Sequence, residues 1–215
     1  MQESNFWIYA VGFLAQIFFS ARILYQWLVS EKAGKGLSPP AFWIFSVFGS
    51  YLLFIYGVLR NDFAIILGQF ISYFIYLWNL NMQGKWKKIP LIFKIVLIIT
   101  PLVATGLMLR NLTGFTETFF NNKDVPLWLL IFGSAGQVIF ALRFIYQFLY
   151  SAIHHESALP VGFWIISLLG SSIIISYAIF RRDPVLILGQ SFGFVAYIRN
   201  LMIAYKSREI TVYEE

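Results

Sequence analysis

No cysteine occurs anywhere in the chain. Disulfides, thiolate metal sites and thiol nucleophiles are therefore excluded, and the redox compartment stays undetermined. Charge is also scarce. Asp, Glu, Lys and Arg make up 12% of the 215 residues, about half the usual share of a soluble domain. Histidine occurs only as the adjacent pair His154 and His155, with no acidic or thiolate set beside it, so a metal site gains little support. No Ser-His-Asp set, no paired carboxylates within an apolar run and no phosphate-cradling glycine loop is present. With no catalytic apparatus and no cofactor motif legible, the expectation is a protein that is not an enzyme. The N-terminus, Met1-Gln2-Glu3-Ser4, lacks the basic stretch of a signal peptide, and the apolar run after it is too long for a signal core. That run is expected to remain as a membrane helix.

What fills the chain instead is apolar. Hydrophobic residues make up 59%, aromatics 20%, and the mean hydropathy is +0.72. A soluble domain of this length cannot hide so much apolar surface, so the class is integral membrane protein. The net charge of +6 sits beside apolar runs, where it sets topology and meets anionic lipid. No soluble basic domain exists to carry nucleic-acid binding, and none is expected.

The chain says the same thing twice. Residues 6–86 align with 127–207 at a constant offset of 121, without gaps, and 27 of the 81 positions are identical. Composition bias would repeat Leu and Ile. Here Gln16, Arg22, Tyr25, Gln26 and Ser30 recur as Gln137, Arg143, Tyr146, Gln147 and Ser151. Tyr56, Arg60, Asp62, Gly68, Gln69, Tyr76 and Asn79 recur as Tyr177, Arg181, Asp183, Gly189, Gln190, Tyr197 and Asn200. Polar matches inside apolar runs mark a duplicated membrane module and its functional positions.

Seven spans are expected, at about 5–29, 39–59, 63–82, 89–109, 126–150, 160–180 and 184–205, each near the ~20 residues that cross a bilayer. The fold class is all-α: two parallel three-helix repeats joined by a linker helix. The first repeat takes 1–86, the linker helix and its loop 87–125, the second repeat 126–207 and the tail 208–215. The fourth span has no repeat partner. Because it is single, it returns the chain to its starting side, so both triplets enter the membrane with one orientation. Loops opposite the N-terminus carry Lys32, Lys35, Lys85, Lys87, Lys88, Lys206 and Arg208. Those on the N-terminal side carry Arg60, Arg110, Lys123, Arg181 and Arg182. The majority side is cytoplasmic by the positive-inside rule, which places the N-terminus outside.

The candidate site follows from the repeated polar residues. Arg22, Tyr25 and Gln26 are expected on one face of the first helix, as are Arg143, Tyr146 and Gln147 on the fifth. The arginines either snorkel to lipid headgroups or hold a phosphate or carboxylate. Gln69, Ser72, Tyr76 and Asn79 form one stripe; Gln190, Gly193, Tyr197 and Asn200 repeat it. Such amides bind either a substrate or a neighbouring helix. Trp43 and Trp164 are interface anchors or stacking platforms for a sugar. Ser46, Gly49 and Ser50 match Ser167, Gly170 and Ser171 as close-packing positions. Asp62 and Asp183 are expected to cap helices and pair locally with Arg60 and Arg181. The halves also differ: Trp78 stands opposite Arg199, which would add a third cation, and Glu31 opposite Ala152.

The blocks from Arg22 to Glu31, Pro39 to Ser50, Arg60 to Asp62 and Ile66 to Leu80 resemble the lipid A biosynthesis N-terminal domain family. The second copy matches from Arg143 to Leu201, without the Glu. That family is grouped with the PQ-loop and SWEET transporters, and the 3+1+3 layout is similar to theirs. No proline here precedes a glutamine, and the first spans lack an internal proline. The family name comes from fusion to a lipid-A-disaccharide synthase, whose activity is not carried over. The resemblance implies a transporter or flippase for a lipid-linked sugar, such as a polyprenyl-phosphate sugar, in the bacterial inner membrane. A carrier of a free small sugar and a non-transporting partner of a glycosyltransferase are the alternatives; a receptor is a further one. Expected partners are a lipid or lipid-linked sugar phosphate, a glycosyltransferase and a second copy of the chain.

Overall fold

The computed structural model describes residues 2–120, 125–154 and 159–214. His155 lies outside the described residues. Among them are eight α-helices and no strand: α1 (Gln2–Ala33), α2 (Pro40–Leu59), α3 (Phe63–Met82), α4 (Leu91–Leu109), α5 (Leu112–Phe119), α6 (Leu127–His154), α7 (Val161–Phe180) and α8 (Pro184–Glu214). Seven of them are long and apolar enough to cross a membrane. The chain is a multi-pass, all-α membrane protein.

Local rules set the boundaries. Pro40 opens α2 at a position whose amide has no helical partner, after Pro39 in extended conformation; Pro160 precedes α7 in the same way. Asp62 caps α3 by accepting from the Ile65 amide at 3.1 Å. The turns before α3 and α8 each hold one residue in the left-handed region, Asn61 and Arg182. Asn tolerates that region; a longer side chain such as Arg is strained there.

The helices pack as a closed ring. α1 lies on α2, α2 on α3, α3 on α6, α6 on α7, α7 on α8, and α8 returns to α1. Each repeat contributes three helices, so the ring has two seams between repeats, α3–α6 and α8–α1. One continuous hydrophobic cluster draws on all six helices.

The linker helix α4 stands outside this ring and is mostly exposed, as expected of a helix facing lipid. It carries Pro101, which cannot donate to the carbonyl of Leu97 four residues earlier. The Tyr73 hydroxyl of α3 donates to that carbonyl instead, at 2.9 Å. In lipid no water could do so. The stretch 110–124 was expected to be a loop. Part of it is α5, capped by Asn111 on the Gly114 amide. Phe115, Phe119 and Phe120 pack against Phe63 there.

Candidate functional site

Two arginines meet inside the ring. Arg22 on α1 is 3% exposed and Arg143 on α6 is 1% exposed. Both guanidinium carbons lie over the ring of Phe144, at 6.0 Å and 4.5 Å. Arg22 donates from Nη1 to Ser46 Oγ at 2.8 Å and to the Tyr76 hydroxyl at 3.2 Å. Arg143 donates from Nη1 to the Tyr197 hydroxyl at 3.4 Å. The Nε of each arginine has no hydrogen-bond partner. Among the described residues no carboxylate lies within ion-pair distance of either. Aromatic faces take the place of a counter-ion: Phe19, Phe42 and Tyr76 around Arg22, and Phe140, Phe163 and Tyr197 around Arg143.

The arginines do not snorkel. α1 and α6 run to residues 33 and 154, four beyond the expected ends. Each arginine then lies 11 residues from its helix end, about 16 Å at 1.5 Å per residue, and is enclosed by protein.

The predicted site residues fall into three groups. Gln26, Gln69, Tyr76, Asn79, Gln147, Tyr197 and Asn200 are buried, and Gln190 is half-buried. Gln26 donates to Ser30 at 2.8 Å and, across the α1–α8 seam, to Asn200 at 3.1 Å. Trp43 and Trp164 are also buried, at 0% and 2% exposed, which overturns the interface-anchor alternative. Trp164 donates to the Leu159 carbonyl at 3.2 Å, while Trp43 Nε1 has no partner and its ring packs on Tyr76 and Phe144.

The third group is corrected. Tyr25 and Tyr146 are 44% and 39% exposed and point away from the ring. Positions i+3 and i+4 lie about 100° apart around a helix, so the face that turns Gln26 inward turns Tyr25 outward. Arg199 is not a third buried cation. It is half-exposed and forms a bidentate ion pair with Glu31 of α1.

Further residues complete the site in roles that their repetition does not reveal. Ser46, read as a packing position, is a partner of Arg22. Phe144 joins the two arginines, yet its repeat counterpart is Ile23, so the duplication gave no signal. At each seam a buried glutamine lies against a glycine of the other repeat, Gln137 on Gly68 and Gln16 on Gly189. Any side chain at those glycines would occupy the space of the amide.

The N-terminal-side end is tied across the repeats. Tyr56 donates to Asp183 at 2.8 Å and Tyr177 to Asp62 at 2.7 Å. Arg60 lies 3.8 Å from Asp183 and Arg181 3.3 Å from Asp62. The expected local pairing is thus wrong in its partner: each aspartate caps its own helix but pairs with the arginine of the other repeat. Gly12 and Gly133 let the tyrosine rings pass. Burial raises the Asp183 carboxyl above the ordinary carboxylate range, against the pull of the Leu186 amide, Tyr56 and Arg60. Burial also opposes charge on Arg181, but Asp62 beside it outweighs this and holds the guanidinium above its usual value. At the opposite end the Leu159 amide donates to the Gly36 carbonyl at 2.9 Å, joining the α1–α2 and α6–α7 loops.

This duplicated site has a family. The model of the lipid A biosynthesis N-terminal domain matches residues 11–81 and again 132–202. The two matches are offset by the same 121 residues as the internal repeat, and together they cover most of both triplets. The chain belongs to the lipid A biosynthesis N-terminal domain family. Among its curated relatives, the lipid-A-disaccharide synthase of Chlamydia pneumoniae is 32% identical over 214 residues, covering 96% of this chain. That of Chlamydia trachomatis serovar D is 32% identical over 218 residues, covering 97%. The chain spans about a third of the length of these relatives, 35% in both cases. No solved structure matches.

These relatives correct one expectation. The absence of a catalytic motif suggested a protein that is not an enzyme, but chains aligning with nearly all of this one carry an enzyme's name. Motifs within 215 residues report only the chemistry those residues hold. They do not define the activity of a family whose named members are about three times as long.

Proposed function

We propose that this protein handles a lipid-linked sugar phosphate of the lipid A pathway and moves it between leaflets of the bacterial inner membrane. The carrying observation is the pair Arg22 and Arg143, buried inside a closed ring of helices without a carboxylate partner. A buried charge left unpaired costs several kcal/mol. Two are tolerable if an anion is their normal company, and a phosphate suits the fork of each guanidinium. Tyr76 and Tyr197 hold the two guanidiniums through hydroxyls that also suit a sugar phosphate, and Gln69 and Asn79 are further buried polar groups on the same helix as Tyr76. The family and its synthase relatives support the lipid A pathway, and a sugar-bearing lipid fits that pathway.

On this reading the ring moves by exchanging the contacts at its two ends. One end is held by the crossed Tyr–Asp–Arg links, the other by Gln26–Asn200 and by the Gly36–Leu159 contact. Releasing one set at a time would open the site to one leaflet at a time. On this reading the N-terminus lies outside and the C-terminus in the cytoplasm, which the excess of lysine and arginine in the loops opposite the N-terminus supports.

A second reading has its own support. The named relatives are synthases, and this chain corresponds to a third of them. The same arginine site could then present a lipid substrate to a glycosyltransferase rather than move it. Reconstitution separates the two. Vesicles containing the protein are expected to translocate a fluorescent polyprenyl-phosphate sugar, and Arg22→Ala with Arg143→Ala to lose this at least tenfold. Tight binding of the lipid without translocation would favour presentation. Translocation unaffected by the double variant would contradict the site.

A further inference from the structure

The two seams between repeats occupy equivalent places and have been built differently. At α3–α6, Trp78 packs edge-on against Phe148 with ring centroids 6.2 Å apart, and Ala152 follows one turn later. Their counterparts at α8–α1 are Arg199, Trp27 and Glu31. There the Arg199 fork holds the Glu31 carboxylate, and Trp27 Nε1 donates to the same carboxylate at 2.8 Å. One seam is closed by rings; the other, beyond the buried Gln26–Asn200 bond, is closed by an ion pair whose side chains are 45% and 43% exposed.

A cavity of about 890 Å³ opens at the ionic seam, lined by Glu31, Arg199, Leu201, Met202, Tyr205 and Lys206. Its wall is apolar along α8 and cationic at two levels, since Arg199 and Lys206 are seven residues, or about two turns, apart. An apolar wall with cations at the end of a membrane span matches an amphiphile with a phosphate headgroup. Carboxylate and phosphate offer arginine the same pair of acceptor oxygens. A half-exposed ion pair contributes little stability and exchanges readily.

We infer that the C-terminal end of the α1–α8 seam is the lateral doorway for a phosphate-bearing membrane amphiphile. The headgroup phosphate replaces Glu31 on Arg199, Lys206 supplies the second cation, and the ligand passes inward toward Arg22 and Arg143. The ring-closed α3–α6 seam stays shut. This rests on the anion reading of the two buried arginines and adds the route and the side.

The test is loading of a polyprenyl monophosphate into the full chain in nanodiscs, followed by native mass spectrometry. Glu31→Gln frees Arg199 and is expected to speed loading several-fold. Arg199→Gln removes the receiving cation and is expected to slow it several-fold. Both variants break the ion pair, so a merely structural link predicts changes in the same direction, and that result would overturn the doorway. The absence of native cysteine allows a second arm. A short thiol crosslinker between Glu31→Cys and Arg199→Cys is expected to slow loading tenfold relative to the same variant uncrosslinked. Crosslinking Trp78→Cys to Ala152→Cys is expected to leave it within about twofold. Equal effects at both seams would also overturn the proposal. Inorganic phosphate at millimolar concentration is expected not to compete, and full competition would replace the amphiphile by a free anion. Unchanged loading in Arg22→Ala with Arg143→Ala would instead remove the reading on which the doorway rests.

Discussion

Arg22 and Arg143 show why a side chain's neighbours matter more than its depth. An arginine at mid-bilayer costs roughly 2.5–3.5 kcal/mol on insertion scales, and here aromatic faces and tyrosine hydroxyls offset part of that cost. Smaller details follow the same logic. Tyr73 satisfies the Leu97 carbonyl freed by Pro101, so Tyr73→Phe should destabilise the protein by about 1–3 kcal/mol. Pro101→Ala restores the helical donor and should remove most of that loss, a coupling readable as a double-mutant cycle in thermal unfolding. Arg182 holds a left-handed conformation that its counterpart Asn61 adopts with little strain. Arg182→Asn should gain on the order of 1 kcal/mol, measured by the same unfolding assay.

At the scale of helices, the glycine–glutamine contacts set how closely the repeats approach. Gly68→Ala should push Gln137 away and cost about 1–3 kcal/mol. Adding Gln137→Ala should recover part of it, which detergent-solubilised melting would show. The elements themselves were largely legible in the sequence. Span lengths are dictated by the bilayer, and prolines and Asp62 mark the starts. What the sequence hid were pairings between elements. A duplication tells which residues are equivalent, not whether equivalents pair within a repeat or across it. Asp62 has Arg60 two residues away in the chain, yet its partner is Arg181. The partner of Arg199 is equally hidden, since Glu31 lies 168 residues away and nothing local links them. Tyr25 points outward because two residues on one side of a helix still differ by about 100° in direction. The helix α5 was missed although Asn111 and the spacing of Leu112, Phe115 and Phe119 announce it.

For the whole molecule, duplication gives a ring with two nearly equal halves, and the differences between them carry direction. Most polar residues that recur, though not Tyr25 and Tyr146, build a common interior. Residues that do not recur, at Glu31, Trp27, Phe144 and Arg199, decide where that interior is approached and where its two cations meet. The apolar exterior and the unpaired linker helix follow from the need to face lipid and to return the chain to its starting side.

On the proposed function, the buried arginine pair holds a phosphate-bearing lipid. The most direct test is mass spectrometry of lipids that co-purify with the wild-type chain and with Arg22→Ala/Arg143→Ala. A polyprenyl-phosphate or glycolipid should be retained by the wild type and lost from the variant. Bulk phospholipid alone, unchanged by the substitutions, would contradict it.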